Sequence, residues 1–312
     1  MSTTTEPTEI GLKSVLVAYD FSDASRKPLR HAVSIARHFG AKLYVAHVVS
    51  SVGYVIAGPE ASRLGYAGGV RDAHELETSL QEAGLLNGLQ YEFIVGEGKV
   101  WEQVETIIRT KHIDAVVVGT HTRGGASRLV LGSVAEQILR QANSLVLTVG
   151  PGSSEDSLIE KDKATGTFLF PTDFSAVSLR ALPHAVSFAR HFKAKLVVLH
   201  VLPAAPIPET FHWSTTGDLV EMRKQAELAS QKLFEQFVAP HVPDTVALKF
   251  VVSFGIARDQ ILEACHLLKA DLLIFGLKAL KHAEARSHLP WIAAHEILTR
   301  ASCPILTLQG SA

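Results

Sequence analysis

The chain has 312 residues, of which 47% are hydrophobic and 20% charged, and its formal net charge is −1. A chain of this length and composition buries a sizeable core, which excludes a disordered protein. The near-zero charge offers no basic surface for nucleic acid, and no apolar run approaches the roughly 20 residues of a membrane-spanning helix. Together with a polar N-terminus and two widely spaced cysteines, this predicts a cytoplasmic protein that binds neither nucleic acid nor membrane.

The sequence contains one unit written twice. Ser14–Ser50 and Thr167–Pro203 align without a gap at an offset of 153, and both carry D-F-S, then H-A-V-S-x-A-R-H-F-x-A-K-L, then V-x-H-V. Similarity of this length indicates duplication. We therefore expect a first unit at 13–150, a linker at 151–166 and a second unit at 167–309.

Strands and helices alternate within the first unit. The apolar runs predict strands at Val15–Tyr19, Lys42–Val49, Leu89–Val95, Ala115–Gly119 and Leu145–Val149. Helical periodicity predicts helices at Pro28–Phe39, Leu76–Ala83, Trp101–Lys111 and Ser133–Ala142. Strands that are apolar on both faces and alternate with helices predict an α/β fold, with a doubly wound, five-stranded parallel sheet in each of the two tandem units.

A glycine-rich stretch, Val52–Arg71, follows the second strand. Ligands of doubly wound sheets bind beyond the carboxyl ends of the strands, so this stretch could fold over such a site as a lid. A flexible surface loop is the alternative, and the residues alone do not choose between the two.

The segment after the fourth strand carries the chemistry of the first unit. Gly119–Ala142 reads G-T-H-T-R-G-G-A-S-R-L-V-L-G-S-V-A-E-Q-I-L-R-Q-A. Its glycines let the backbone come close to a ligand, and Gly132–Ser133 stands at the start of a helix, where unpaired N–H groups attract an anion. Arg123 adds a cation, so the segment suits a phosphate chain.

The unit resembles the universal stress protein family, whose ATP-binding members carry G-x2-G-x9-G-[ST] after strand four. Gly119 and Gly132–Ser133 match the ends of that motif at the right spacing, but Thr122 replaces its second glycine. The resemblance covers both units and implies an adenine nucleotide alpha-hydrolase-like fold with ATP in the first unit. The binding residues it implies are Ala18, Asp20, Val48, Val118, Gly119, His121, Arg123, Gly124, Gly132, Ser133 and Val134.

Two of these residues have a second interpretation. Asp20 would lie against the adenosine, but an aspartate after a strand also forms a helix N-cap or an Asx turn. His121 could reach phosphate or ribose, or it could simply face solvent. Neither interpretation is excluded by the sequence.

The second unit has lost the loop. After Gly276 its segment contains no further glycine, and Trp291–Ile292 align with Gly132–Ser133. We therefore expect no nucleotide there. No nucleophile elbow, Walker lysine or metal-ligand spacing is found in the chain, so neither catalysis nor a metal site is predicted.

The last strands, Leu145–Val149 and Ile305–Leu308, are expected to pair, because family domains commonly dimerise through that edge. The two units would then form an intramolecular pseudo-dimer, and a homodimer of the chain is a further expectation. The leading hypothesis is an ATP-binding regulator of the stress response. A stress or interaction module without nucleotide and a slow ATP hydrolase are its rivals.

Overall fold

The computed structural model describes residues 10–49, 59–120, 131–142, 144–153, 166–204, 216–278 and 289–310. The elements of the first unit are β1 (Ser14–Ala18), α1 (Asp23–Phe39), β2 (Lys42–Val49), α2 (Pro59–Glu82), β3 (Tyr91–Glu97), α3 (Val100–Lys111), β4 (Ala115–Gly119), α4 (Ser133–Gln141) and β5 (Leu145–Val149). Those of the second unit are β6 (Thr167–Pro171), α5 (Ala176–His191), β7 (Lys195–Leu202), α6 (Thr216–Phe237), β8 (Leu248–Phe254), α7 (Ala257–Leu267), β9 (Leu272–Lys278), α8 (Leu289–Arg300) and β10 (Ile305–Gly310).

The predicted strands of the first unit are confirmed. β2, β4 and β5 have the predicted bounds, while β1 and β3 are displaced by one and two residues. β4 and β5 are the easiest to recognise in the sequence, because they are buried almost throughout and are therefore continuous apolar runs.

Helix α2 is much longer than predicted. The sequence predicts a helix only at Leu76–Ala83, but α2 begins at Pro59, so the described part of the stretch Val52–Arg71 is helix rather than loop. Three glycines obscure this helix in the sequence, because each lowers helix propensity by about 1 kcal/mol relative to alanine. Packing against the sheet overrides that local preference.

The described strands form one ten-stranded sheet in the order β3-β2-β1-β4-β5-β10-β9-β6-β7-β8. Within each unit neighbouring strands run parallel, and the first strand pairs with both the second and the fourth, as β1 does with β2 and β4. This is the doubly wound order. Successive strands are added on one side of β1 up to β3 and then on its other side from β4, so the strand order reverses between β1 and β4 although the two strands are parallel. A ligand crevice is expected at the carboxyl ends of those two strands.

The two units join through their last strands, so the predicted pairing is confirmed. β5 and β10 run antiparallel, with Leu147 opposite Leu306. The hydroxyl groups of Thr148 and Thr307 donate across the joint to the carbonyl oxygens of Ile305 and Val146, at 3.3 and 3.2 Å. These two contacts are related by the repeat, as in an isologous dimer interface.

The ends of α1 and α5 also meet symmetrically. The imidazole ring of His38 stacks on Phe192 with ring centroids 4.1 Å apart, and the ring of Phe39 lies 4.2 Å from that of His191. Burial lowers the pKa of His38, and positive charge on His191, Arg37 and Lys193 lowers it further. Protonation of His38 therefore opposes the docking of the two units.

Each face of the sheet carries one apolar core that spans both units. Buried residues of α1, α2, α5 and α6 belong to the core on one face, and those of α3, α4, α7 and α8 to the core on the other. The two units therefore share their interior on both sides of the joint.

Candidate functional site

A cavity of about 780 Å³ lies at the carboxyl edge of the sheet in the first unit. It is bounded by the ends of β1, β2 and β4, by the starts of α1, α3 and α4, and by one face of α2. The cavity thus occupies the predicted crevice at the point where the strand order reverses. Its volume falls within the range of about 300–1,000 Å³ that is usual for small-molecule sites.

The structure brings most of the predicted binding residues together at this cavity. Those that line it are Ala18, Asp20, Val48, Val118, Gly119, Gly132, Ser133 and Val134. His121, Arg123 and Gly124 lie outside the described residues, as does Thr122. The shared location supports the grouping of the eight lining residues, and their contact with a nucleotide stays a prediction.

Thr120 closes the segment between β4 and α4. Its N–H donates to the carbonyl oxygen of Val149, and its own carbonyl accepts from the N–H of Gly132, both at 3.1 Å. The residues at the two ends of the segment, Thr120 and Gly132, are therefore hydrogen-bonded to each other, and Gly132 is held beside the end of β4. Because the N–H of Gly132 is used in this closure, an anion would meet the next amides of α4, at Ser133 and Val134.

Asp20 shapes the turn that leads into α1. Its Oδ1 accepts from the backbone N–H of Ser22 at 3.0 Å and from the Ser22 hydroxyl at 2.5 Å. In the second unit Asp173 accepts in the same way from the N–H of Ser175, at 2.9 Å. The Asx turn is thus present in both units, whereas the N-cap of α1 is Ser22. Asp20 has this structural role and also lines the cavity.

The turn contains a strained residue in each unit. Phe21 has φ of 61° and Phe174 has φ of 57°, in the left-handed region that costs a bulky residue about 1–3 kcal/mol. The Phe21 ring packs against Tyr19 and His47, with centroids 5.1 and 4.5 Å away. This packing holds the ring at the wall of the cavity.

The second unit differs in backbone geometry at the matching place. β9 continues two residues beyond Gly276 to Lys278, whereas β4 ends at Gly119. An added Cβ at Gly276 would lie 2.4 Å from the carbonyl oxygen of Val177, whereas at Gly119 the corresponding distance to Ala24 is 3.7 Å. Helix α5 therefore packs more closely on its strand than α1 does.

Helix α8 also begins differently from α4. It starts at Leu289, so the aligned pair Trp291–Ile292 lies inside the helix, whereas Gly132 immediately precedes α4. The helix N-terminus that faces the cavity in the first unit is therefore not repeated at the aligned residues. The segment 279–288 lies outside the described residues.

The sequence model of the universal stress protein family matches residues 11–150 and 165–309. The chain belongs to this family. A universal stress protein of Methanocaldococcus jannaschii is 29% identical over 142 residues, which cover 44% of this chain and 81% of that protein. One from Bacillus subtilis is 27% identical over 147 residues, covering 43% of this chain and 97% of that protein. Each match covers about half of the chain.

Solved structures that match nearly the whole chain support the tandem fold. A universal stress protein from Archaeoglobus fulgidus superposes with a TM-score of 0.63 at 17% identity, covering 95% of this chain and 98% of that one. A putative universal stress protein from Pseudomonas aeruginosa gives 0.62 at 16% identity, covering 96% and 93%. At these identities the likeness establishes the fold alone. Each of the two units has the adenine nucleotide alpha-hydrolase-like fold.

Several residues that line the cavity of this universal stress protein are not among the predicted binding residues. His47 lines it, and its Nδ1 lies 2.9 Å from the carbonyl oxygen of Tyr19. Since a carbonyl only accepts, neutral His47 carries its proton on Nδ1. The second unit repeats this contact between His200 and Thr172, at 2.7 Å. The repeated V-x-H-V could have revealed it.

The α2 residues at the cavity lack a repeated motif of this kind, although three of them belong to the glycine-rich stretch Val52–Arg71 that could form a lid. Gly65, Gly68, Gly69 and Asp72 line it, but α6, the matching helix, carries no similar run of glycines. Among the described residues, no group of three or more His, Cys, Asp or Glu side chains is arranged to hold a metal ion. No described helix is long and apolar enough to cross a membrane.

Proposed function

We propose that the first unit binds one adenine nucleotide, ATP, and that the protein is a regulator of the stress response rather than a catalyst. The observation that carries the proposal is a single cavity that joins apolar strand ends to a helix N-terminus. Val48 and Val118 offer surface for the base, and Ser133–Val134 offers backbone amides to phosphate. Asp20 supplies a hydrogen-bond acceptor for the nucleoside between them.

The charges of the cavity indicate how the phosphates would be held. Its described lining includes the carboxylates Asp20 and Asp72 and neither lysine nor arginine. The positive end of the α4 dipole gives only about 0.3–1 kcal/mol per contact. We therefore assign Arg123 and His121 to the phosphate end, with Gly124 allowing the loop to approach.

We propose that the second unit has a structural and regulatory role and binds no nucleotide. The boundaries 13–150 and 167–309, with 151–166 as linker, are proposed for the two units. The shared cores provide a path by which nucleotide in the first unit could stabilise the second. Cys265 and Cys303 are both buried and form no disulfide, in keeping with the proposed cytoplasmic role. A homodimer of the chain is a further proposal.

Thermal unfolding with ATP tests the proposal. At one hundred times the dissociation constant, a ligand that binds only the folded chain stabilises it by about 2.7 kcal/mol. ATP should raise the melting temperature, and GTP, as a control with the same phosphates, should raise it less. An unchanged melting temperature at millimolar ATP would support the rival function, a stress or interaction module without nucleotide. The specific observation that favours this rival is that Thr122 replaces the second glycine of the ATP-binding motif. If the purified protein releases phosphate from bound ATP over several hours, the result would instead support the slow ATP hydrolase.

A further inference from the structure

Helix α2 presents a glycine face to the cavity. Gly65, Gly68, Gly69 and Asp72 all line it, and their spacing of three, four and seven residues places them on one side of the helix. The sequence allows a lid or a surface loop in this stretch, and its described residues, from Pro59 onward, are helical. The helix forms a wall of the cavity that the strand ends and α4 do not provide.

Gly69 is the point at which α2 touches the sheet. A Cβ built there would lie 2.6 Å from Cγ2 of Val49, 3.3 Å from Cδ2 of His47 and 3.5 Å from Cγ1 of Val95. Val49 is nearly buried, and its β-branched side chain has little freedom to turn away. Only a residue without a Cβ lets the helix lie this close to the ends of β2 and β3.

Gly68 is a matched contrast on the same helix. A Cβ built there meets no atom of the described residues within 4 Å. Substitution of either glycine by alanine favours the helix to the same degree by intrinsic propensity. The two alanine variants therefore differ in contact with the sheet and not in local helix preference.

We propose that Gly69 is a positioning residue that seats α2 on the ends of β2 and β3, so that the helix retains the nucleotide in the cavity. The proposal rests on the proposed function for its ligand. Seating depends on the contact at Gly69, and retention follows because a displaced helix leaves one wall of the cavity open to water.

Hydrogen exchange of α2 in the nucleotide-free protein tests the seating directly. Gly69→Ala should accelerate exchange of the α2 amides by about tenfold or more, because the helix opens locally. Gly68→Ala should leave their exchange unchanged or slower. Equal exchange in the two variants would overturn the proposal, whether or not the protein binds ATP.

Nucleotide affinity and a second substitution complete the test. Gly69→Ala should raise the dissociation constant for ATP by about tenfold, and adding Val49→Ala should recover most of that loss relative to Val49→Ala alone, as coupled neighbours do. No recovery, or no loss in Gly69→Ala, would overturn the role of this contact. If the unmodified chain binds no ATP, the proposed function and the retention role both fail, and the exchange comparison still decides whether Gly69 seats the helix.

Discussion

One added methyl group at matched positions should affect the two units very differently. In Gly276→Ala the new Cβ lies 2.4 Å from the carbonyl oxygen of Val177, which must move by at least about 0.6 Å to reach 3.0 Å, a separation below which real Cβ atoms are essentially never found. In Gly119→Ala the nearest atom among the described residues is Cγ of Pro28 at 3.2 Å, with the carbonyl oxygen of Ala24 at 3.7 Å. A small adjustment of the proline ring relieves that contact.

The expected magnitudes follow from what has to move. Val177 lies in the first turn of α5, so its carbonyl cannot shift without displacing the start of a helix that packs on β9. Overpacking of this kind typically costs about 1–3 kcal/mol. We expect Gly276→Ala to lie near the upper end of that range and Gly119→Ala to cost less than about 1 kcal/mol.

Urea denaturation of the full chain, followed by circular dichroism, measures the difference. The midpoint should fall clearly in Gly276→Ala and little in Gly119→Ala, with the slope unchanged in both. Equal destabilisation of the two variants, or a greater loss in Gly119→Ala, would refute the conclusion that α5 packs more closely on its strand than α1 does.

Three further results are expected. Gly132→Val should abolish ATP binding in a titration and leave the nucleotide-free protein folded, because Gly132 has φ of −61° and ψ of 145°, a backbone conformation that is open to valine; retained binding would contradict the phosphate assignment. Because the pKa of His38 is lowered in the folded chain, its contribution to stability is complete above about pH 6.5 and is lost as pH falls below it, by at most about 1.4 kcal/mol per pH unit; acid melting curves of His38→Gln should be flatter than those of the unmodified chain, and identical curves would contradict this. Leu147→Ala, at the fully buried joint of β5 and β10, should cost about 2–5 kcal/mol in urea denaturation, and a loss near zero would contradict the shared core.

The sequence was most informative where burial dictates residue type. β4 reads A-V-V-V-G because both of its faces are covered, and its bounds could be predicted from that run. The joint between the units could be predicted because each ends in an apolar strand that would otherwise be an exposed edge. The grouping of Asp20, Val48 and Gly132 at one edge followed from the doubly wound order, which brings the carboxyl ends of distant strands together.

Features that depend on tertiary contact could not be predicted. Because Gly69 has no side chain, α2 can pack against Val49, and this packing is not visible in the local sequence. By its neighbours in the sequence alone, Gly69 looks like a glycine that breaks a helix. The left-handed φ of Phe21 is equally hidden, since the residue type argues against it. The difference between Gly119 and Gly276 is set by neighbouring helices, although the two residues align.

The stoichiometry of nucleotide binding tests the central claim most directly. Native mass spectrometry of the full chain with excess ATP should show one nucleotide per chain, and Gly132→Val should show none. Two nucleotides per chain would contradict the loss of the site from the second unit. A chain that carries no nucleotide at any concentration of ATP would contradict the assignment of the cavity in the first.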